Sequence, residues 1–141
     1  MPNQRNNFKV IKNKDGHIDV TESLFQAREV FLHGEICAGL VDSIICDLRV
    51  LDKIDNKPIT MYINSPGGSV QWGLALIDTI STLKSKVIFV GSGILASMAA
   101  VIFTTGKDRR CTKNTTFMFH DMYSGVVDYS EKMEARVDFQ K

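Results

Sequence analysis

Short apolar runs of strand type alternate with longer stretches of helical periodicity along most of this chain, and that alternation limits the fold more than any other feature. Glu29 to Leu32 reads as a strand. Ala38 to Asp52 reads as an amphipathic helix, because Leu40, Val41, Ile44, Ile45, Leu48 and Leu51 recur at helical spacing. Ile59 to Ile63 is the next strand. Val70 to Leu83 is the next helix, with Leu74, Ile77, Ile80 and Leu83 or Leu76 turned inward. Val87 to Val90 is short and wholly apolar, as in a strand buried on both faces. Gly91, Ser92 and Gly93 are expected to break it, and Ile94 to Val101 then reads as a helix of mostly small residues. A short strand around Cys111 and another from Thr115 to Phe119, ending at His120, close the series. Such an order predicts an α/β domain with a mainly parallel sheet flanked by helices. Right-handed crossovers would bring the loops that follow the strands to one sheet edge, where ligands bind in folds of this kind. Three loops are expected to meet there: Asn64 to Ser69, Gly91 to Met98, and the segment from His120.

Upstream, Phe8 to Val20 reads as a hairpin turned by Asn13, Lys14, Asp15 and Gly16, and Thr21 to Ala27 as a helical turn. Downstream, Asp128 and Glu131 form a capping box for a helix over Tyr129 to Lys141, with Tyr129, Met133 and Val137 four apart. The chain is expected to be one domain over residues 1–141, truncated within that helix.

Bulk properties exclude several classes. A formal net charge of +1 gives no electrostatic reason to expect nucleic acid or an anionic membrane surface. Lys107, Arg109, Arg110 and Lys113 cluster, but Asp108 interrupts them, as in a solvated turn. Cys37, Cys46 and Cys111 are odd in number and contain no CxxC pair, which argues against disulfides and structural zinc and fits a reducing compartment. Cys46 is expected to fill the core. No run approaches membrane length and no basic start precedes an apolar segment, so the expected location is cytoplasmic. No metal-ligand spacing is present, and no cofactor is expected.

Nucleophilic acyl transfer needs a hydroxyl, a base, an orienter for that base and donors for an oxyanion. Ser97 offers the hydroxyl close to a helix N-terminus, where unpaired N–H groups favour developing negative charge. A helix cap or a small filler would also explain a serine there. His120 offers the imidazole. Gly67 and Gly68 offer backbone N–H groups with no side chain in the way, and the N–H of Met98 would complete an oxyanion hole. Pro66-Gly67-Gly68 also reads as a plain tight turn. Packing or exposure accounts for His33, partial burial or a groove for Trp72.

Taken together, FLHGEI (Phe31 to Ile36), KPITMYINSPGGSV (Lys57 to Val70), GILASMAA (Gly93 to Ala100) and FMFHD (Phe117 to Asp121) resemble the Clp protease family of proteolytic subunits. The resemblance implies a spiral, crotonase-like α/β fold and a serine peptidase that cleaves unfolded polypeptides. It implies a homo-oligomeric ring fed by an ATP-driven unfoldase. It carries the nucleophile to Ser97, the base to His120 and the oxyanion donors to Gly68 and Met98, with Gly67 and Ser69 of the same loop against substrate. Where the family usually has glutamine and alanine, this chain has Ile94 and Leu95. Ala99 stands for a common glycine, and Asp121 and Met122 for a glutamine and proline. The family's aspartate comes several tens of residues beyond the histidine, and no residue here matches it, so weak or absent activity is expected of the 141 residues. The alternatives are a catalytically silent structural subunit of a mixed ring, a virus-associated head-maturation relative, and a crotonase-type acyl-CoA enzyme. The last gives Ser97 and His120 no joint role.

Overall fold

A hairpin of β1 (Ile11–Asn13) against β2 (Gly16–Ile18) leads into α1 (Val20–Gln26), capped by the Asp19 carboxylate, which accepts the Glu22 N–H at 3.2 Å. The computed structural model describes residues 11–13 and 16–121. The expected helix from Tyr129 to Lys141, the hairpin turn at Lys14 and Asp15, and the segment before Ile11 lie outside the described residues.

Next come β3 (Glu29–His33), α2 (Ala38–Ile54), β4 (Ile59–Ser65), α3 (Val70–Thr82), β5 (Val87–Ala96), α4 (Met98–Thr105), β6 (Asp108–Cys111) and β7 (Thr116–Met118). β3, β4, β5 and β6 lie side by side in chain order, all parallel, and β7 also pairs with β5. Every crossover thus steps the same way across the sheet, and right-handed crossovers of that kind stack their helices on one face. α2 packs on α3 and α3 on α4 accordingly. The covered face holds the core: Val30 and Leu32 of β3, Ile59, Met61 and Ile63 of β4, Phe89 and Leu95 of β5, with Val41, Leu48, Leu51, Leu76 and Ile102 from the helices. Alternate residues point the other way and are half-buried: Glu29, Phe31 and His33, then Tyr62 and Asn64.

Three local expectations fail. The strand at Val87 does not stop at the glycines but runs to Ala96, so the helix expected from Ile94 starts at Met98. Instead of ending the strand, the glycines form a bulge. Ile63 pairs with Gly91 but Ser65 pairs with Leu95, which leaves two extra residues on β5 at this point. Cys46 is exposed rather than in the core, and Leu74 faces solvent while Leu76 is fully buried. Helical spacing alone leaves the edges of an apolar stripe undecided, and both residues sit just past that edge.

Arg28 ties three elements together from a buried position. Its guanidinium donates to the carbonyls of Leu51 at 3.0 Å, Lys57 at 2.8 Å, Asp55 at 3.3 Å and Pro58 at 3.3 Å, and to Ser85 Oγ at 3.2 Å. Asp55 Oδ1 lies 3.2 Å away as its counter-charge. The end of α2, the entry to β4 and the entry to β5 are thereby held by one planar fork, whose geometry suits several carbonyls at once. Asp52 supports the same turn. Its carboxylate accepts the Ser85 N–H at 2.6 Å and the Lys84 N–H at 3.3 Å, and the Ser85 bond foremost holds its pKa below the usual range.

On the opposite face, Phe31 stacks on Tyr62 with ring centroids 5.2 Å apart and meets His33 edge-on at 5.3 Å. The Nε2 of His33 is buried and accepts or donates no hydrogen bond among the described residues. Burial pushes its pKa below 6.5.

Two outcomes are expected. Arg28→Met strands buried carbonyls and lowers stability by about 3 kcal/mol, with Arg28→Lys in between, read as a fall in urea midpoint at constant m value; a loss under about 1 kcal/mol would show that the fork is dispensable. For His33, the folded state prefers the neutral ring, so the unfolded chain takes up more protons below pH 6.5 and stability falls as pH drops through that value. His33→Leu should lose less melting temperature than wild type between pH 7.5 and 5.5. Parallel losses would refute the assignment.

Candidate active site

The loop after β4 is shaped before any side chain reaches it. Ser65 is fully buried, and its Oγ accepts the Gly67 N–H at 3.1 Å, closing a serine turn around Pro66. Gly67 has φ +94° and Gly68 φ +147°, backbone states that side chains resist. Space forbids a side chain as well. A Cβ on Gly67 would fall 2.8 Å from the Ala96 carbonyl oxygen and from Ser97 Cβ; one on Gly68 would fall 2.4 Å from the Ile36 carbonyl oxygen.

Gly68 forms a parallel bridge with Ile36, made by the Ile36 N–H to the Gly67 carbonyl at 2.8 Å and the Ser69 N–H to the Ile36 carbonyl at 2.9 Å. Both bonds belong to the neighbours of Gly68. In a parallel bridge the central residue's own N–H then points away from the partner strand. Ser69 spends its hydroxyl on capping α3, accepting the Trp72 N–H at 3.3 Å. Trp72 is half-buried and packs against the core.

Ser97 joins β5 to α4 with φ 54° and ψ −125°, a strained conformation for a residue with a side chain and one that costs about 1–3 kcal/mol. It occupies the cap position of α4, yet its side chain makes no capping bond. Its Oγ lies 2.8 Å from His120 Nε2 instead. Its own N–H is taken by the Met118 carbonyl at 2.8 Å, which also sets β7, and with it His120, against the turn. Leu95 and Ala96 pair with Phe117 and Met118, and Phe117 packs against Phe103 of α4 at 5.6 Å. Serine and histidine therefore come from two neighbouring strands that reach the same level of the sheet.

Met98 opens α4, so its N–H has no carbonyl one turn earlier in the helix. It lies 3.1 Å from the point where a Gly67 Cβ would be. The Met98 side chain is buried against α3, where Gly73 leaves room for it. The three expected loops thus converge: Gly67 on Ser97, Met98 beside both, His120 on Ser97. Ile36 and Ser65 were missed from sequence. Ser65 carried a local signal, the S-x-G spacing of a serine turn; Ile36 carried none, because its partner is 32 residues away. Among the described residues no group of His, Cys, Asp and Glu could hold a metal ion, and no helix is long and apolar enough to cross a membrane.

Comparison with known proteins identifies the family and the fold. The family model described as Clp protease matches residues 12–138. The ATP-dependent Clp protease proteolytic subunit of Carsonella ruddii is 40% identical over 108 residues, covering 75% of this chain and 56% of its own length. That of Lactococcus lactis subsp. cremoris is 38% identical over 122 residues, covering 84% and 61%. The chain thus spans somewhat over half the length of these relatives. Among solved structures, the ClpP protease catalytic domain from Plasmodium falciparum superposes with a TM-score of 0.75 at 31% identity, over 94% of this chain and 71% of that one. With its α/β fold, its one-way parallel sheet and its motifs in the same order, this chain belongs to the Clp protease family.

Proposed function

We propose that the chain carries the serine-peptidase centre of a Clp-type proteolytic subunit, with Ser97 as nucleophile and His120 as general base. The observation that carries this is the 2.8 Å contact between Ser97 Oγ and His120 Nε2 at a strained strand-to-helix turn. With the ring proton on Nδ1, the hydroxyl donates to Nε2 and the imidazole takes its proton as Oγ attacks a peptide carbonyl. The tetrahedral oxyanion is received by the N–H groups of Gly68 and Met98, the first held outward by the bridge to Ile36, the second by the start of α4. His120 then protonates the leaving amine, the acyl-enzyme forms on Ser97, and water activated by the same imidazole releases the acid. Gly67 and the backbone of Ser69 line the loop that substrate meets, the Ser69 hydroxyl being committed to α3.

The substrates proposed are unfolded polypeptides, delivered by an ATP-driven unfoldase to a homo-oligomeric ring in the cytoplasm; the names of the relatives support the ATP dependence and the role of proteolytic subunit. No residue is assigned to the third position of the triad, and activity of the 141 residues by themselves is proposed to be weak. A silent structural subunit is what remains if Ser97 proves unreactive. A crotonase-type acyl-CoA reaction would leave the Ser97–His120 contact without a task.

Intact mass after treatment with a fluorophosphonate should show one adduct on wild type and none on Ser97→Ala, with His120→Ala slowed by several orders of magnitude. Folded wild-type protein that takes no adduct would sink the peptidase reading in favour of the structural one. Gly68→Ala places a methyl group on the Ile36 backbone, so it should cut the labelling rate at least about 10²-fold, as loss of one oxyanion donor does. Labelling within threefold of wild type would remove Gly68 from the hole.

A further inference from the structure

The bulge in β5 sits between the two halves of the proposed site, and one side chain fills it. Up to Ile63 and Gly91, β4 and β5 run in register; beyond it, Ser65 faces Leu95. Asn64 is the residue between. Its side chain lies against Gly93, whose φ is +66° and whose Cβ, were there one, would fall 2.6 Å from Asn64 Oδ1 and 2.8 Å from Nδ2. The same Oδ1 accepts the N–H of Ile94 at 3.1 Å. A strand that carries two extra residues loses ladder bonds there, and the Asn64 amide supplies an acceptor where the displaced β4 backbone does not.

What the bulge positions is the chemistry. Ile94, Leu95 and Ala96 lead directly into Ser97, and the same three residues pair with Thr116, Phe117 and Met118, the strand that carries His120. Ser97 and His120 therefore ride on one base, the far half of β5. The oxyanion loop rides on another, β4 and the Ile36 bridge. The Asn64 backbone belongs to the second base as well, since its carbonyl accepts the Gly34 N–H at 3.0 Å just before Ile36. Its side chain reaches across to the first.

We infer that Asn64 is a positioning residue, its side-chain amide fixing the β5 bulge so that the Ser97–His120 pair lies in register with the N–H groups of Gly68 and Met98. It touches no reacting atom. Removing it should leave Ser97 and His120 in contact with each other but misplaced against the oxyanion donors, and displacements of about 1 Å at such sites cost on the order of 10²-fold.

The inference rests on the serine-peptidase reading for its kinetic arm only. In wild type, Asn64→Ala and Asn64→Asp, the fluorophosphonate labelling rate of Ser97, peptide kcat and KM, and amide hydrogen exchange over residues 92–98 would be measured together. Asn64→Ala is expected to label about 10- to 10²-fold more slowly, to lose kcat with little change in KM, and to exchange faster at Ile94 while thermal melting shows a folded protein. Asn64→Asp keeps the acceptor for the Ile94 N–H and should recover most of the rate and the protection. Equal labelling in Asn64→Ala and wild type, equal loss in the alanine and aspartate variants, or unchanged exchange at Ile94 would each overturn the inference. Should Asn64→Ala fail to fold, the aspartate variant still decides: slow labelling together with wild-type exchange at Ile94 refutes it. If wild type itself takes no label, the peptidase reading falls, while the exchange at Ile94 still judges whether Asn64 holds the bulge.

Discussion

At Gly67 and Gly68 two backbones approach a third so closely that no side chain fits between, and the rest of the site depends on that approach. Gly68 lies on Ile36, and Gly67 lies on Ser97 and Met98. The first contact turns the Gly68 N–H outward by occupying the groups on either side of it. The second sets Gly67 against the start of α4. Steric fit therefore does the orienting, and hydrogen bonds only fix it. On the proposed reading the oxyanion donors are backbone groups, and an amide held by a parallel bridge or a helix start has no rotamer to lose, so little reorganisation would accompany the formation of charge.

Strain at Ser97 follows from the same packing. A positive φ at a serine costs about 1–3 kcal/mol and persists only where the surroundings over-determine it. Here the Ser97 N–H is claimed by Met118, its carbonyl by the Val101 N–H at 3.2 Å, and its Cβ side by Gly67. With both main-chain groups engaged, the hydroxyl is the one group of Ser97 free to leave the helix cap and point at His120. A relaxed serine at this position would turn its hydroxyl back to cap the N–H groups of α4.

Much of this was legible in the sequence, and the limits of legibility have physical causes. The helices over Ala38–Ile54 and Val70–Thr82 and the strands at Glu29 and Ile59 were readable because their apolar residues follow the period of the element. The Gly91-Ser92-Gly93 run was misread, since glycines that end a strand and glycines that bulge it look alike locally. The difference lies in Asn64, 27 residues before Gly91 and on another strand. Arg28 was invisible for a similar reason. A lone arginine between a helix and a strand reads as solvent-facing until five acceptors from three distant turns are seen to surround it. Ser97 and His120 could be named from sequence as a hydroxyl and an imidazole, and the family pattern joined them, but their spacing of 23 residues means nothing until β5 and β7 pair.

That pairing also decides which departures from the family pattern lie near the proposed site. Leu95 stands where a small residue is usual, and its Cδ1 would lie 2.5 Å from a Cβ on Gly91, so the glycine of the bulge leaves the space that the larger side chain fills. Leu95 is fully buried and Ala99 likewise, the latter inside α4 where an alanine suits a helix better than glycine by about 1 kcal/mol. Neither reaches the Ser97 hydroxyl. Ile94 differs in kind. It is 38% exposed, immediately beside the pinned bulge and paired with Thr116. An apolar side chain there changes the surface that leads into the site without changing the backbone bond to Asn64, because that bond is made by the main-chain N–H. The scaffold of the proposed site is thus written in backbone contacts and glycines, and side chains can vary around it wherever those contacts stay intact.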